Sequence, residues 1–130
     1  MTDRAVDRIA ALLAMVVMPI AVRVLPLPLL LRTVDRLPAA ARARATADGL
    51  AARVHRWLRW GVGPWRSTCL TRAAVLYALL RYHGFRPRFF IGVRGPREAF
   101  GAHAWVTLGG RAVSDAGGVS GYTALMSHGD

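Results

Sequence analysis

The chain has 130 residues, the size of a single domain, and carries 18 basic residues, all arginine, against 7 acidic ones, for a net charge of +11. With 54% apolar residues it is too apolar for a disordered basic tail, which pairs charge with low hydrophobicity. Its single cysteine excludes an intramolecular disulfide framework and a CxxC zinc knuckle, and suits a reducing, cytoplasmic compartment.

The first element is an apolar run from Ile9 to Val22, bracketed by Arg8 and Arg23. It is shorter than the roughly 20 residues of a spanning helix. Pro19 and the Leu25-Pro26-Leu27-Pro28 run are expected to end it, giving a helix over 3–18. A signal peptide is disfavoured: no small-x-small cleavage site follows, and Asp3 and Asp7 dilute the basic start. The expected role is a buried or docked helix. Peripheral contact with an anionic membrane stays open, because cationic amphipathic faces bind such lipid. A short helix near 29–36 follows, then a longer one from Ala39 to Trp60. In the latter, Leu50, Val54, Trp57 and Leu58 form one apolar stripe, with Arg42, Arg53, Arg56 and Arg59 mostly on a solvated face.

Gly61-Val62-Gly63-Pro64 separates this helical region, 1–62, from a second part, 63–130, within one domain spanning 1–130. A helix is expected from Cys69 to about His83, with Ser67 or Thr68 as N-cap and Gly84 just past its end. Its middle, Ala73 to Leu80, has no polar face, so it must be the core. After Pro87 the pattern turns to strands over 88–93, 102–108 and 111–115, with a turn at Gly109-Gly110. The fold class is therefore α+β: a helical N-terminal half and a central helix packed on a small antiparallel sheet.

Cys69 falls at the start of the central helix, where unpaired N–H groups and the positive end of the helix dipole favour an anion, the reactive form of a thiol. His103 shares one strand face with Trp105 and Thr107, and Asp115 closes the next strand. A thiolate, a base and an orienting carboxylate in that arrangement have the logic of nucleophilic catalysis. Each residue also has a plainer reading. A lone cysteine beside Leu70 and Ala73 is more often a small buried hydrophobe, a strand histidine a satisfied polar group, and an aspartate before Gly117-Gly118 a turn former.

The runs Arg66-Ser67-Thr68-Cys69-Leu70-Thr71-Arg72-Ala73, Ile91-Gly92-Val93-Arg94 and Phe100-Gly101-Ala102-His103-Ala104-Trp105-Val106, with Gly84 and Asp115, resemble the leader peptidases of lasso-peptide biosynthesis. These belong to the transglutaminase-like, papain-related superfamily of cysteine proteases. The resemblance covers 64–116; residues 1–60 match only in being helical and basic. It implies Cys69 as nucleophile, His103 as general base and acid, and Asp115 as the residue orienting the imidazole, with no metal and no cofactor. It further implies a precursor leader peptide as substrate, a small separate recognition protein as partner, and an ATP-dependent macrolactam cyclase downstream. Thr107 departs from the family, which often has an acidic residue there. The Cys69 backbone N–H is the expected oxyanion donor, with Trp65 and Arg66 as the nearest candidates for a second.

The triad makes a demand on register. A two-residue turn at Gly109-Gly110 sets Asp115 opposite Ala104, facing away from His103. A three-residue connection, or an equivalent bulge, places Asp115 diagonal to His103 on the same face. Catalysis favours the second; the apolar pairing of Val106 with Val113 favours the first. The expectation follows catalysis.

Nucleic acid is a disfavoured partner, because the arginines are spread along the chain without stacking aromatics or a recognisable binding motif. An acidic protein or leader segment suits arginine's bidentate fork better. Trp57, Trp60 and Trp65 are either core or an interface anchor. Two further functions stay beside the peptidase: an acyltransferase with the same three residues, and a non-catalytic basic binding module. Metal binding by Cys69, His103 and Asp115 lacks ligand spacing.

Overall fold

The computed structural model describes residues 3–36, 46–59, 68–94, 101–113 and 123–129. Four helices precede a four-stranded sheet: α1 (Asp3–Val24), α2 (Leu27–Asp35), α3 (Ala47–Leu58), α4 (Cys69–Tyr82), β1 (Arg88–Arg94), β2 (Gly101–Leu108), β3 (Arg111–Ala112) and β4 (Thr123–Gly129). The spatial order is β3-β2-β1-β4, every pairing antiparallel, so the α+β expectation holds.

The core forms around α4. Ala74, Val75, Tyr77 and Leu80 have no measurable exposure, which is what an all-apolar helix requires. One side receives Ala11, Met15 and Met18 from α1, Leu31 and Val34 from α2, and Leu50, Val54 and Leu58 from α3; the other receives Phe89, Ala104, Val106 and Val113 from the sheet. Thr68 caps α4, its Oγ1 accepting from Thr71 N–H at 3.2 Å. The helix ends in a Schellman turn: Phe85 N–H donates to Leu80 O at 3.0 Å and Gly84 N–H to Arg81 O at 3.1 Å, with Gly84 at φ 84°.

Several expectations are corrected. α1 does not stop at Pro19 but runs through it to Val24. A proline at this position removes one intrahelical hydrogen bond, and Pro19 is itself fully buried, so its ring is held by packing. The stretch Ala5–Val24 is thereby long and apolar enough to cross a membrane by length and composition, against the shorter run expected, although 28% of it is buried in the protein. Trp57 leaves the stripe of α3 and is 57% exposed, while Leu50, Val54 and Leu58 are buried. The helix expected from Ala39 to Trp60 begins only at Ala47, where Thr46, extended at φ −83° and ψ 155°, caps it by accepting from the Gly49 N–H; residues 39–45, Trp60 and Trp65 lie outside the described residues.

β4 was not expected from the sequence. Its pairing with β1 jumps from Ile91↔Met126 to Gly92↔Ala124, so Leu125 is an extra, bulged residue, 67% exposed. The bulge breaks the alternation by which a strand is recognised.

The hairpin register also differs. β2 pairs with β3 as Thr107↔Ala112 and Leu108↔Arg111, and Val113 N–H donates to Val106 O at 2.9 Å. Gly109 and Gly110 have φ of 62° and 83°, the two positive values of a two-residue type I′ turn. The odd-length loop expected from the triad is not formed. Apolar pairing of Val106 and Val113, both buried, prevails.

A polar hub ties the elements together. Tyr77 Oη donates to Asp35 Oδ1 at 2.6 Å, His128 Nε2 lies 2.7 Å from Asp35 Oδ2, and Arg81 Nε is 3.3 Å from Asp35 Oδ1. It joins α2, α4 and β4 across up to 93 residues of sequence. A second link, Tyr82 Oη donating to Asp7 Oδ1 at 2.9 Å, fixes α1 on α4.

Candidate active site

Cys69 is the first residue of α4, half-buried and packed against the core. Thr68, extended at φ −110° and ψ 161°, turns the chain into the helix and satisfies the Thr71 N–H. The N–H groups of Cys69 and Leu70 have no acceptor within the helix. A charge developing on or next to the sulfur therefore meets oriented N–H dipoles.

His103 lies on β2 opposite Gly92 of β1. Its ring stacks on Trp105 (centroids 5.8 Å apart, 19° between planes), Trp105 stacks on Phe90 (5.4 Å, 11°), and the Arg88 guanidinium lies 5.5 Å from the centre of the Phe90 ring. Gly92 makes this ladder fit: a Cβ there would stand 2.7 Å from Trp105 Cη2 and 2.8 Å from Thr123 O. The stack is sequence-encoded, since His103, Trp105 and Thr107 alternate onto one face. The role of Gly92 is not visible without the register.

The connection 83–87 is short, and Tyr77 of α4 meets Phe89 near the start of β1, with ring centroids 6.1 Å apart. Cys69 packs on the core, whereas His103 lies on the other face of the sheet. Phe89, Ala104 and Val106 enter the core beneath α4, so alternation turns Phe90, His103 and Trp105 to the reverse face. The described contacts do not include one between the thiol and the imidazole. β3 pairs with β2 at Thr107 and Leu108, and its backbone bonding reaches Val106. Asp115 lies outside the described residues; the bulge that could return it to the His103 face would fall there too.

The Asp35–His128 pair escaped the sequence reading, since nothing in the pattern links positions 93 residues apart. It cannot serve the thiol: Tyr77, which shares it, stands eight residues along α4 from Cys69, about 12 Å. Among the described residues no cluster of His, Cys, Asp or Glu could hold a metal ion.

A helical layer over a small antiparallel sheet, with a thiol opening the central helix, defines the class. The family model of the transglutaminase-like superfamily matches residues 12–127, and the chain belongs to that superfamily. The match takes in α1 from residue 12 through to β4, so the N-terminal helices are part of the family unit and not an appendage. No curated protein and no solved structure matches the chain. The superfamily includes cysteine proteases and acyltransferases.

Proposed function

We propose that this chain is a cysteine peptidase that removes the leader from a ribosomally made lasso-peptide precursor, acting with a separate recognition protein. The observation that carries the reading is the place of the sole cysteine: first residue of the core helix, inside a transglutaminase-like unit. The finer assignment is supported by the resemblance of the segments around Cys69 and His103 to the leader peptidases.

In the proposed reaction the Cys69 thiolate attacks the carbonyl carbon at the leader–core junction. The C–S bond forms and the carbonyl oxygen becomes an oxyanion facing the Cys69 N–H. His103, protonated, gives its proton to the departing amine as the C–N bond breaks. It then takes a proton from water, whose oxygen attacks the thioester, releasing the leader carboxylate and restoring the thiol. Asp115 orients the imidazole. For this reaction the imidazole, on the sheet face turned away from α4, must reach the side of the thiol. No metal or cofactor takes part in any step.

The acyltransferase reading uses the same groups and differs only in what resolves the thioester. Incubating the protein with a precursor peptide, a recognition protein and a primary amine, and reading product masses, separates them. Leader ending in a free carboxylate supports the peptidase; leader joined to the amine supports the acyltransferase. An intact precursor in a reaction whose partner protein binds the leader would refute both and favour the binding module.

A further inference from the structure

The α1 helix carries more exposed apolar surface than its packing on α4 requires. Ile9, Leu12, Leu13, Val16, Val17 and Ile20 are each between 41% and 56% exposed. At 100° per residue they fall within about 140° of the helix circumference, and with Val6 and Val24 the stripe runs about 27 Å. The opposite side is fixed in the protein: Ala11, Met15 and Met18 are no more than 8% exposed. Leu13 and Val17 also form one wall of an apolar cavity of about 370 Å³ between α1 and α4, so the non-polar surface continues inward from the stripe. On α2, Leu29 is also exposed, at 51%. A contiguous patch of this kind marks an interaction site.

Charge and chemistry narrow the occupant. Arg8 lies one turn before Leu12 and Arg23 one turn after Ile20, both exposed, with exposed Arg32 and Arg36 on and just after α2. The whole chain carries +11. A second copy of equal charge is repelled. A bilayer asks for no hydrogen bonds from the buried stripe and presents anionic headgroups to the arginines at its margin. A helix that crossed the bilayer would have to withdraw Ala11, Met15 and Met18 from the core; one lying in the interfacial plane keeps them in place.

We propose that α1 is a membrane-contact helix, its exposed apolar stripe lying in the surface of an anionic phospholipid bilayer with the flanking arginines on the headgroups. The inference does not rest on the thiol chemistry.

The test is co-sedimentation of the full chain with phosphatidylcholine vesicles with and without phosphatidylglycerol. The protein is expected to sediment with the anionic vesicles and less with the neutral ones. Leu12→Glu with Val16→Glu, two exposed positions, should lower partitioning on the order of a hundredfold with the far-ultraviolet circular dichroism unchanged. Arg8→Gln with Arg23→Gln should weaken binding to anionic vesicles alone, and Cys69→Ala should bind as the parent does. Protein left in the supernatant with both vesicles would overturn the proposal. So would a folded Leu12→Glu, Val16→Glu protein that sediments like the parent, or a lipid-free dimer that this variant dissociates.

Discussion

A methyl group at position 92 would press on Trp105 Cη2 at 2.7 Å and on the Thr123 carbonyl at 2.8 Å. Neither neighbour can yield easily: the indole is buried and the oxygen belongs to the β4 backbone. Gly92→Ala is therefore expected to displace Trp105 and unstack His103, costing roughly 1–3 kcal/mol by urea denaturation. If His103 is the base, peptide cleavage and alkylation of Cys69 by iodoacetamide slow together with the far-ultraviolet circular dichroism unchanged, and a changed spectrum would mean that the substitution acts on the whole fold. At the other end of the site, Thr68→Ala removes the acceptor of the Thr71 N–H and should cost about 1 kcal/mol, read as a lower denaturation midpoint. Cys69, Thr68 and His103 were legible in the sequence because a helix start and strand alternation are local signals. The part of Gly92 was not, because it depends on which residue lies across the strand pair.

Among the elements, those with an uninterrupted period were readable and those with an exception were not. α4 follows from its all-apolar middle, its cap and Gly84. β4 escaped because Leu125 bulges out and shifts the inward positions to Met126 and His128. α1 was cut short by giving Pro19 the usual weight of a helix breaker, when burial of its ring outweighs one lost hydrogen bond. The β2–β3 hairpin is the most instructive case, since a register chosen for catalysis lost to one chosen by packing. That turn makes its own prediction. With both glycines at positive φ, Gly110→Val should destabilise by about 1–2 kcal/mol, whereas Gly109→Asn should be tolerated, as thermal melts of the two variants would show. Equal melting temperatures would contradict the turn type.

At the scale of the molecule, one carboxylate joins three elements. Asp35 receives Tyr77 and holds Arg81 and His128, so Asp35→Ala leaves three partly buried polar groups without their acceptor. A loss of roughly 1–3 kcal/mol in urea denaturation is expected, and an unchanged midpoint would mean that the hub is ornamental. The hub stands well away from Cys69, so the folded variant should retain whatever activity the thiol supports. The family unit embraces these helices as well as the sheet, which explains why so apolar an N-terminal half is built onto a small sheet: α1, α2 and α3 cover the side of α4 that the sheet does not.

In the proposed reaction the sulfur of Cys69 forms a covalent bond to the leader. Intact-mass analysis of the protein quenched in acid during turnover of a precursor peptide, with its recognition protein present, reads that bond. A transient adduct of leader mass is expected, mapped to Cys69 by digestion, with both adduct and cleavage absent from Cys69→Ala. Cleavage by Cys69→Ala at the parent rate would contradict it.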